Sequence, residues 1–298
     1  MNDVFEEHRR LLFGTAYRML GSVADAEDIV QDAWLKWHQT DRTAIEHPKA
    51  YLVRTVTNLS LNRLKSAQVV REAYVGPWLP EPILTSPDIA EEAELADTVS
   101  MAVLVVLETL TPTERAVFML REVFGYSHAE IAEAIGKSEA TVRQLAHRAR
   151  EHVQARRPRF AAEAAEQREI ADKFREACAG GDLNQVLALL APDVTSWSDG
   201  GGVVTAARRP LHGPESVARW FLGVLAKPEV QGVQMLPAEI NGEPGLLLTM
   251  GEANIGSISF ESVDGQITAI RVAINPNKLS GIQPARLTLP VEPPSAGE

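Results

Sequence analysis

Apolar and polar residues alternate at helical spacing through the first part of the chain. Apolar side chains recur three or four positions apart over about 5–20, 23–39 and 48–65, and Gly21 marks the first stop. Carboxylates gather at the start of the second segment, where they favour the positive end of a helix dipole. The pattern therefore predicts a helical bundle as the first domain, over residues 1–72.

A stretch rich in proline interrupts this helical pattern. Four prolines lie within 76–88, and because proline blocks helix continuation they predict an inter-domain linker over 73–95. The linker is acidic, since residues 72–114 contain nine Asp and Glu and no Lys or Arg. Trp78 is unusual in a linker, because an exposed indole is costly, and we expect it to dock on a neighbouring domain.

Helix-start signals mark a second helical domain, predicted over 96–158. Its first helix is expected at about 88–109. Thr111 and Glu114 have the spacing of a capping box, and Ser127 and Glu130 repeat it. Each box predicts that a helix begins directly after its first residue.

The segment after the second capping box predicts a helix-turn-helix. Ile131 and Val142 face inward, Gly136 supplies the turn, and a basic helix follows from 139 to about 157. Arg and Gln on such a helix suit paired hydrogen bonds with guanine and adenine edges. A helical hairpin with a solvated basic face is the alternative. The predicted DNA-contact residues are Lys137, Ser138, Glu139, Thr141, Arg143, Gln144, His147 and Arg148.

The pattern changes from helices to strands in the last part of the chain. Helices are predicted at about 161–179, 182–191 and 214–226, and strands at about 231–240, 244–252, 254–262 and 266–274. Helices followed by hairpins indicate an α+β domain, here over 161–278. The prolines beyond it predict a flexible tail over 279–298.

Charge is distributed unevenly among these segments. The formal net charge is −11, but residues 115–160 carry nine basic and five acidic side chains, whereas 161–298 carry ten and seventeen. Such asymmetry suggests separate modules with separate partners, and the basic one is compatible with DNA. The single cysteine, Cys178, excludes a disulfide framework and a cysteine-based zinc site. We expect a soluble cytoplasmic protein that needs no metal or cofactor.

The order of the helical motifs resembles that of the extracytoplasmic-function (ECF) sigma factors. The run Asp-Ala-Glu-Asp-Ile-Val-Gln-Asp-Ala-Trp at 25–34, with Lys49-Ala-Tyr-Leu and Asn58-Leu, is similar to sigma region 2. The helices of 111–157 are similar to sigma region 4. The resemblance covers about the first 160 residues, and implies promoter DNA and core RNA polymerase, through its β′ clamp and β flap, as partners.

This resemblance assigns roles to residues of the first domain. The implied polymerase-binding residues are Asp25, Asp28, Gln31 and Asp32. The residues implied to approach the melted minus-ten element are Arg54, Asn58, Asn62 and Arg63. The loop at about 38–49 would capture a flipped base of that element, and the helix-turn-helix would read the minus-thirty-five element. Trp34 and Trp37 are expected in the core.

The last domain resembles the SnoaL-like, cone-shaped α+β domains, which a subgroup of ECF sigma factors carries at the C-terminus. The similarity rests on Gly181-Asp-Leu, on Leu189-Leu-Ala-Pro-Asp-Val and on His212-Gly-Pro, although Val203 and Asn277 replace the usual lysine and aspartate. Related domains enclose an apolar pocket, which would admit a small-molecule ligand. The implied regulatory contacts between linker and domain are Trp78, Leu79, Pro80, Glu81, Pro82, Asp199, Gly200, Gly201, Gly202, Asn275, Pro276 and Lys278.

Three functions compete at this point. The favoured one is a sigma factor, not an enzyme, whose fused C-terminal domain regulates promoter-specific initiation. A DNA-binding regulator that works without polymerase is the second. The third is a SnoaL-like enzyme of cyclase, isomerase or hydrolase type fused to a DNA-binding module, with Asp193, Asp199 or His212 as acid or base.

Overall fold

The structure is a computed structural model that describes residues 4–41, 45–72, 74–85, 100–156 and 164–282, with the backbone alone at 67–72 and 156. None of the helices in these ranges is long and apolar enough to cross a membrane.

The two helical domains are labelled region 2 and region 4 after the sigma regions that they resemble. Region 2 is a bundle of α1 (Val4–Leu20), α2 (Val23–Gln39) and α3 (Pro48–Glu72). The α1–α2 turn is tight because Gly21 adopts a φ of 65° and the Ser22 side chain accepts a hydrogen bond from the amide of Asp25. Trp37 is buried in the core as expected. The expectation for Trp34 is wrong: the residue is 37% exposed and its ring lies 4.0 Å from that of His38, because it follows the buried Ala33 and points to the side of the buried stripe of α2.

Region 4 consists of α4 (Met101–Glu108), α5 (Pro112–Phe118), a π-helical turn (Met119–Val123), α6 (His128–Ile135) and α7 (Glu139–Arg156). Both predicted capping boxes are confirmed, since each hydroxyl accepts from the third helical amide and each glutamate accepts in return. Gly136 ends α6 in the left-handed conformation, as the turn requires. Residues 86–99, where the helix before α5 was expected to begin, lie outside the described residues.

Regions 2 and 4 pack against each other through one continuous apolar core. That core runs from Phe5 in α1 to Val153 in α7. A buried polar contact joins the same two regions, because the Arg115 guanidinium of α5 donates to the carbonyl oxygen of Met19 at 2.6 Å. A cation at this carbonyl also opposes the negative end of the α1 dipole. The two regions therefore meet directly and not only through their linker.

The C-terminal domain packs helices on one face of a curved sheet. Its helices are α8 (Ala164–Gly180), α9 (Leu183–Leu189) and α10 (Pro214–Leu225). The strands are β1 (Leu84–Thr85), β2 (Leu190–Asp199), β3 (Leu211–His212), β4 (Val233–Ile240), β5 (Glu243–Met250), β6 (Ala253–Val263) and β7 (Gln266–Ala273). Among the described residues they form one sheet in the order β1-β4-β5-β6-β7-β2-β3, in which only β2 and β7 pair in parallel.

Aromatic rings fill the space between this sheet and its helices. Phe174 of α8 packs edge-on against Phe221 of α10 and Phe260 of β6, with ring centroids 5.1 and 5.2 Å apart. Edge-to-face pairs at this separation are the favoured aromatic geometry. The space between the sheet and its helices is thus a packed apolar core around Phe174.

The last domain and its linker also differ from the sequence-based expectations, and the short strand β3 was not expected. Strand β2 was not expected, and its first residues were placed in a helix over 182–191, because Pro192 and a register shift after Leu190 obscure the alternation. The linker contributes the short strand β1, which pairs with β4. The tail does not begin at 279, since Leu279 and Ile282 are buried against Leu247. The rest of the predicted tail lies outside the described residues.

Candidate promoter-binding surfaces and the linker contact

The outer face of α7 presents the residues predicted to read DNA. Val142, Leu145 and Ala149 are buried beneath it. The Ser138 hydroxyl accepts from the amide of Thr141 and so fixes the start of the helix. All eight predicted contact residues, from Lys137 to Arg148, are exposed.

Two arginines on this face are held by carboxylates of the protein. Arg143 pairs with Glu139 at 2.5 Å, and Arg148 pairs with Glu114 at 3.2 Å. The Arg143–Glu139 pair is exposed on both sides, and such a pair contributes about 0–1 kcal/mol, so a DNA phosphate or base edge competes with it readily. The face is therefore preorganised but open to a ligand.

In region 2, the residues predicted for polymerase and for DNA meet in one groove between α2 and α3. Its volume is about 400 Å³. The residues that line it are Asp28, Ile29, Gln31, Asp32, Leu59, Asn62, Arg63 and Ser66. Asp25 does not line the groove but binds its Arg63: the Asp25 carboxylate accepts two hydrogen bonds from that guanidinium, at 3.0 and 2.5 Å. That contact raises the pKa of the Arg63 guanidinium.

Arg54 and Asn58 do not join this groove. Nη1 of Arg54 lies 2.9 Å from Oε1 of Glu133, and Nδ2 of Asn58 donates to the carbonyl oxygen of Ala134 at 2.9 Å. Both partners belong to α6 of region 4. The predicted minus-ten residues are thus divided between an open groove and an inter-domain contact.

The linker binds the C-terminal domain at Asp199, a carboxylate that is 1% exposed at the end of β2. Oδ1 accepts from the Tyr74 hydroxyl at 2.5 Å and from the amide of Gly201 at 3.1 Å. Oδ2 accepts from the amide of Leu79 and from Nζ of Lys278, each at 2.8 Å. A buried carboxylate needs such donors, and here two of the four described ones come from the linker.

Lys278 completes this contact from the other side. Its Nζ donates to the carbonyl oxygen of Leu79 at 2.8 Å and lies 3.9 Å from the ring centre of Trp78 and 4.6 Å from that of Tyr74. The lysine is brought there by the helical turn Pro276–Lys278. The site therefore has a buried cation, although Val203 stands where related domains often have a lysine. Asn277, which stands where an aspartate is usual, donates its backbone amide to the side-chain oxygen of Asn275.

The glycine run after Asp199 allows the chains to approach closely. A Cβ on Gly201, whose φ is 60°, would lie 2.1 Å from Nδ2 of Asn275, which itself donates to the Tyr74 hydroxyl at 2.7 Å. A Cβ on Gly200 would meet the carbonyl oxygen of Val204 at 2.6 Å, and one on Gly202 would touch Val75. A cleft of about 390 Å³ lies beside this run, between the linker and residues 198–208.

The opposite side of the linker binds region 2. The Tyr17 hydroxyl donates to the carbonyl oxygen of Glu81 at 2.5 Å and accepts from Nδ2 of Asn241 at 2.8 Å. The Glu81 carboxylate accepts from the amide of Val23 at 2.7 Å. Burial raises the pKa of Tyr17, which keeps its donor proton. One hydroxyl therefore joins region 2, the linker and the C-terminal domain.

Four linker residues of the predicted set complete this layer. The indole of Trp78 and the ring of Pro80 lie over Gly21, where a Cβ would come within 2.9 and 3.5 Å of them. The carbonyl oxygen of Pro82 lies against Gly281, and Leu79 is buried. Tyr17, Tyr74 and Asn241 were not predicted. Of these three, only Tyr74 could have been predicted from the sequence, because it is an aromatic residue four positions before Trp78, which was itself expected to dock.

Region 4 touches the sheet separately, at the N-terminus of α4. The Ser100 hydroxyl caps the helix through the amide of Val103 and hydrogen-bonds the carboxylate of Glu243 on β5. Burial raises the pKa of Glu243 to about 7, and Glu261 adds to the shift while Arg271 opposes it. An acid at a helix N-terminus is electrostatically favourable, so this contact ties α4 to the sheet.

Comparisons with known proteins decide the family. Residues 4–69 match the model for sigma-70 region 2, and residues 100–153 match the model for sigma-70 region 4. The chain is 39% identical to the ECF RNA polymerase sigma factor SigJ of Mycobacterium tuberculosis, over 93% of this chain and 92% of that protein. The chain belongs to the ECF sigma factors.

Two further similarities extend over nearly the whole sigma factor. The probable ECF RNA polymerase sigma factor SigI of Mycobacterium tuberculosis is 33% identical over 95% of this chain and 96% of its own length. The crystal structure of SigJ superposes with a TM-score of 0.77 at 37% identity, and covers 94% of this chain and 98% of that one. The predicted fold class, two all-α sigma domains followed by an α+β domain, is confirmed.

The residues weighed for catalysis differ in their surroundings in this sigma factor. Asp193 and His212 are exposed on the outside of the C-terminal domain, and the His212 ring lies 3.2 Å from the Thr195 hydroxyl. Asp199 is buried, but its oxygens are taken up by the linker, by Gly201 and by Lys278. General acid–base catalysis needs a group aimed at a substrate, and the Asp199 carboxylate is aimed at the protein.

Proposed function

We propose that this ECF sigma factor binds core RNA polymerase, directs promoter-specific initiation, and is regulated by its own C-terminal domain without catalysis. The observation that carries the proposal is the double binding of the linker. Residues 74–82 contact region 2 through Tyr17 and the C-terminal domain through Asp199. The C-terminal domain therefore binds the linker that joins regions 2 and 4, and through it can influence how the two regions are arranged.

For polymerase, we assign the α2 side of the region 2 groove to the β′ clamp. Asp28, Gln31 and Asp32 stand together there, and Asp28 and Asp32 add negative charge. The alternative is that the acidic residues only stabilise the first turn of α2 in solvent. That would explain the acids at 25–28, but not why Gln31 and Asp32, one turn later, line a groove with α3. Region 4 is assigned to the β flap by the resemblance of its helices to sigma region 4.

Complex formation with core polymerase tests this assignment. The double variant Asp28→Lys/Asp32→Lys reverses the charge of the groove and is expected to weaken binding at least tenfold. Asp172→Lys/Glu176→Lys on α8 is the control, because it makes the same charge change on an exposed helix of the C-terminal domain. Equal binding of the two variants would refute the assigned surface.

For DNA, we assign Asn62, Arg63, Arg54 and Asn58 to the minus-ten element. The predicted face of α7 is assigned to the minus-thirty-five element. Its support is the exposure of polar residues over a buried apolar stripe, the arrangement by which a recognition helix enters the major groove. Arg and Gln would then read base edges, and Lys137 would bind phosphate.

For regulation, we propose that the C-terminal domain biases how regions 2 and 4 are arranged. It holds the linker at Asp199 and Lys278, and it holds α4 at Glu243. A change that releases these contacts shifts the equilibrium between arrangements of regions 2 and 4. The size of that shift is set by the free energy that the contacts contribute. If a small molecule acts on the domain, the cleft beside the glycine run is where it would reach the linker.

Transcription with purified core polymerase tests the regulatory proposal. The full-length protein, the Asp199→Asn variant and a chain that ends at residue 163 are compared on the same promoter. Altered transcript levels in both altered proteins are expected. Unchanged transcription in both would overturn the regulatory role while leaving the sigma function intact. An enzyme is not favoured, because Asp193 and His212 are exposed and the Asp199 carboxylate is taken up by groups of the protein.

A further inference from the structure

Region 4 covers part of the surface that the proposed function assigns to the minus-ten element. Glu133 and Ala134, near the C-terminal end of α6, hold Arg54 and Asn58 of α3 at 2.9 Å each. The Arg54 guanidinium and the Asn58 side-chain amide thus both have a partner in region 4. Both contacts come from the supporting helix of the helix-turn-helix and not from α7, which reads the DNA in the proposed function.

The groups that α6 offers are those that DNA offers. The Glu133 carboxylate presents an anionic oxygen to the guanidinium of Arg54, as a phosphate would. The Ala134 carbonyl oxygen presents a neutral acceptor to the amide of Asn58, as a base edge would. Carbonyl groups at the C-terminal end of a helix also add negative potential, which favours a cation such as Arg54.

We propose that α6 occupies the minus-ten surface of region 2 in the free protein, with Glu133 in the place of a DNA phosphate. The inference rests on the proposed assignment of Arg54 and Asn58 to DNA. It adds that region 4 must leave α3 before region 2 holds the melted strand. Promoter binding and the separation of the two regions are thereby coupled.

The closed arrangement is stabilised elsewhere, which makes Glu133 a suitable residue to change. The continuous core and Arg115, which is 2% exposed and pairs with Glu108 at 2.6 Å, hold the regions together. The Arg54–Glu133 pair lies at the rim, where the side chains are 46% and 75% exposed. An exposed pair contributes little to folding, so its removal changes access to Arg54 and leaves the fold intact.

Binding of a short labelled single-stranded DNA of mixed sequence to the free full-length protein tests the proposal. Glu133→Lys replaces the phosphate mimic by a cation that repels Arg54. Glu151→Lys is the matched control, since it makes the same charge change on region 4, at an exposed position of α7. We expect Glu133→Lys to bind the DNA roughly two- to fivefold more tightly than Glu151→Lys, given that an exposed pair contributes up to about 1 kcal/mol.

A second variant ties the gain to α3. In Glu133→Lys/Arg54→Ala the gain must disappear, because the released arginine is no longer there. Equal affinity of Glu133→Lys and Glu151→Lys, including equal absence of binding, overturns the proposal, and so does a gain that survives Arg54→Ala. Promoter opening by the polymerase-bound Arg54→Ala variant distinguishes failure of this proposal from failure of the proposed function. If opening is unaffected there, the assignment of Arg54 to the minus-ten element has itself failed.

Discussion

The carboxylate of Asp199 and the ammonium of Lys278 form an ion pair at 2.8 Å beneath the linker, with side chains 1% and 10% exposed. Both groups also bind Leu79, one through its amide and one through its carbonyl oxygen. The pair therefore holds both backbone polar groups of one linker residue. Its partners are 79 residues apart in sequence.

A double-mutant cycle on this pair should show strong coupling. Asp199→Asn and Lys278→Met each leave a buried charge without its partner, which costs about 3–5 kcal/mol. The double variant should cost less than the sum by about 1–3 kcal/mol, measured by urea unfolding. The exposed pair Arg219–Glu215, at 4.0 Å, is the control and should couple weakly. Additive losses at Asp199 and Lys278 would contradict the buried contact.

Substitution of Gly201 by alanine should be more costly than substitution of Gly251. Both glycines have a φ of 60°, so an alanine is strained at either position. At Gly201 the new Cβ also meets Asn275 at 2.1 Å, whereas at Gly251 nothing lies within 4 Å. We expect Gly201→Ala to lose about 1–3 kcal/mol more unfolding free energy, the cost of overpacking. Equal losses would show that the glycine run does not pack closely on the domain.

Replacement of Glu243 by glutamine should change how stability depends on pH. The pKa of this carboxyl is about 7 in the folded protein, above its ordinary value of 4.5. The folded state thus binds the proton more tightly, and this group's contribution to stability falls as the pH rises from about 4.5 to 7. Glutamine stays neutral and still accepts from Ser100.

Unfolding free energies at pH 5 and pH 8 check this expectation. Relative to wild type, Glu243→Gln should gain about 1–3 kcal/mol between pH 5 and pH 8. Glu252→Gln, at an exposed turn of the same sheet, should gain nothing. A flat difference for Glu243→Gln would mean that the contact between α4 and the sheet does not bury this carboxyl.

Removal of the Gln144 side chain should weaken binding to the minus-thirty-five element. A base contact of this type contributes about 1–3 kcal/mol, so Gln144→Ala should lower promoter affinity by about tenfold. Gln154→Ala is the matched control, because it removes the same exposed side chain ten residues further along α7, about 15 Å away. The measurement is promoter affinity of the reconstituted holoenzyme. Similar losses for both variants would argue against base reading by Gln144.

Local signals in the sequence predicted the helices well. A capping box lies within four residues, so Thr111 with Glu114 and Ser127 with Glu130 could be recognised without knowledge of the fold. The left-handed turn at Gly136 is likewise a property of one position. The proline-rich linker and the docking of Trp78 were expected from the residues themselves, whereas the contact with Asp199 and the glycine run was predicted from the resemblance.

Contacts between distant segments could not be predicted in the same way. Asn241 reaches Tyr17 across 224 residues, and nothing in either local pattern indicates the pairing. The contact of Arg54 with Glu133 depends on how regions 2 and 4 pack, which no periodicity encodes. Strand β2 was missed for a related reason, because its pairing with β7 joins residues far apart in the chain.

The most direct test of the central claim is transcription by purified core polymerase with and without the full-length protein, on genomic DNA fragments, with the transcript starts mapped. A sigma factor of this type should produce starts that depend on the protein and that share two upstream elements. Gln144→Ala should reduce these starts, and Gln154→Ala should leave them unchanged. Starts that are the same with and without the protein would contradict the claim.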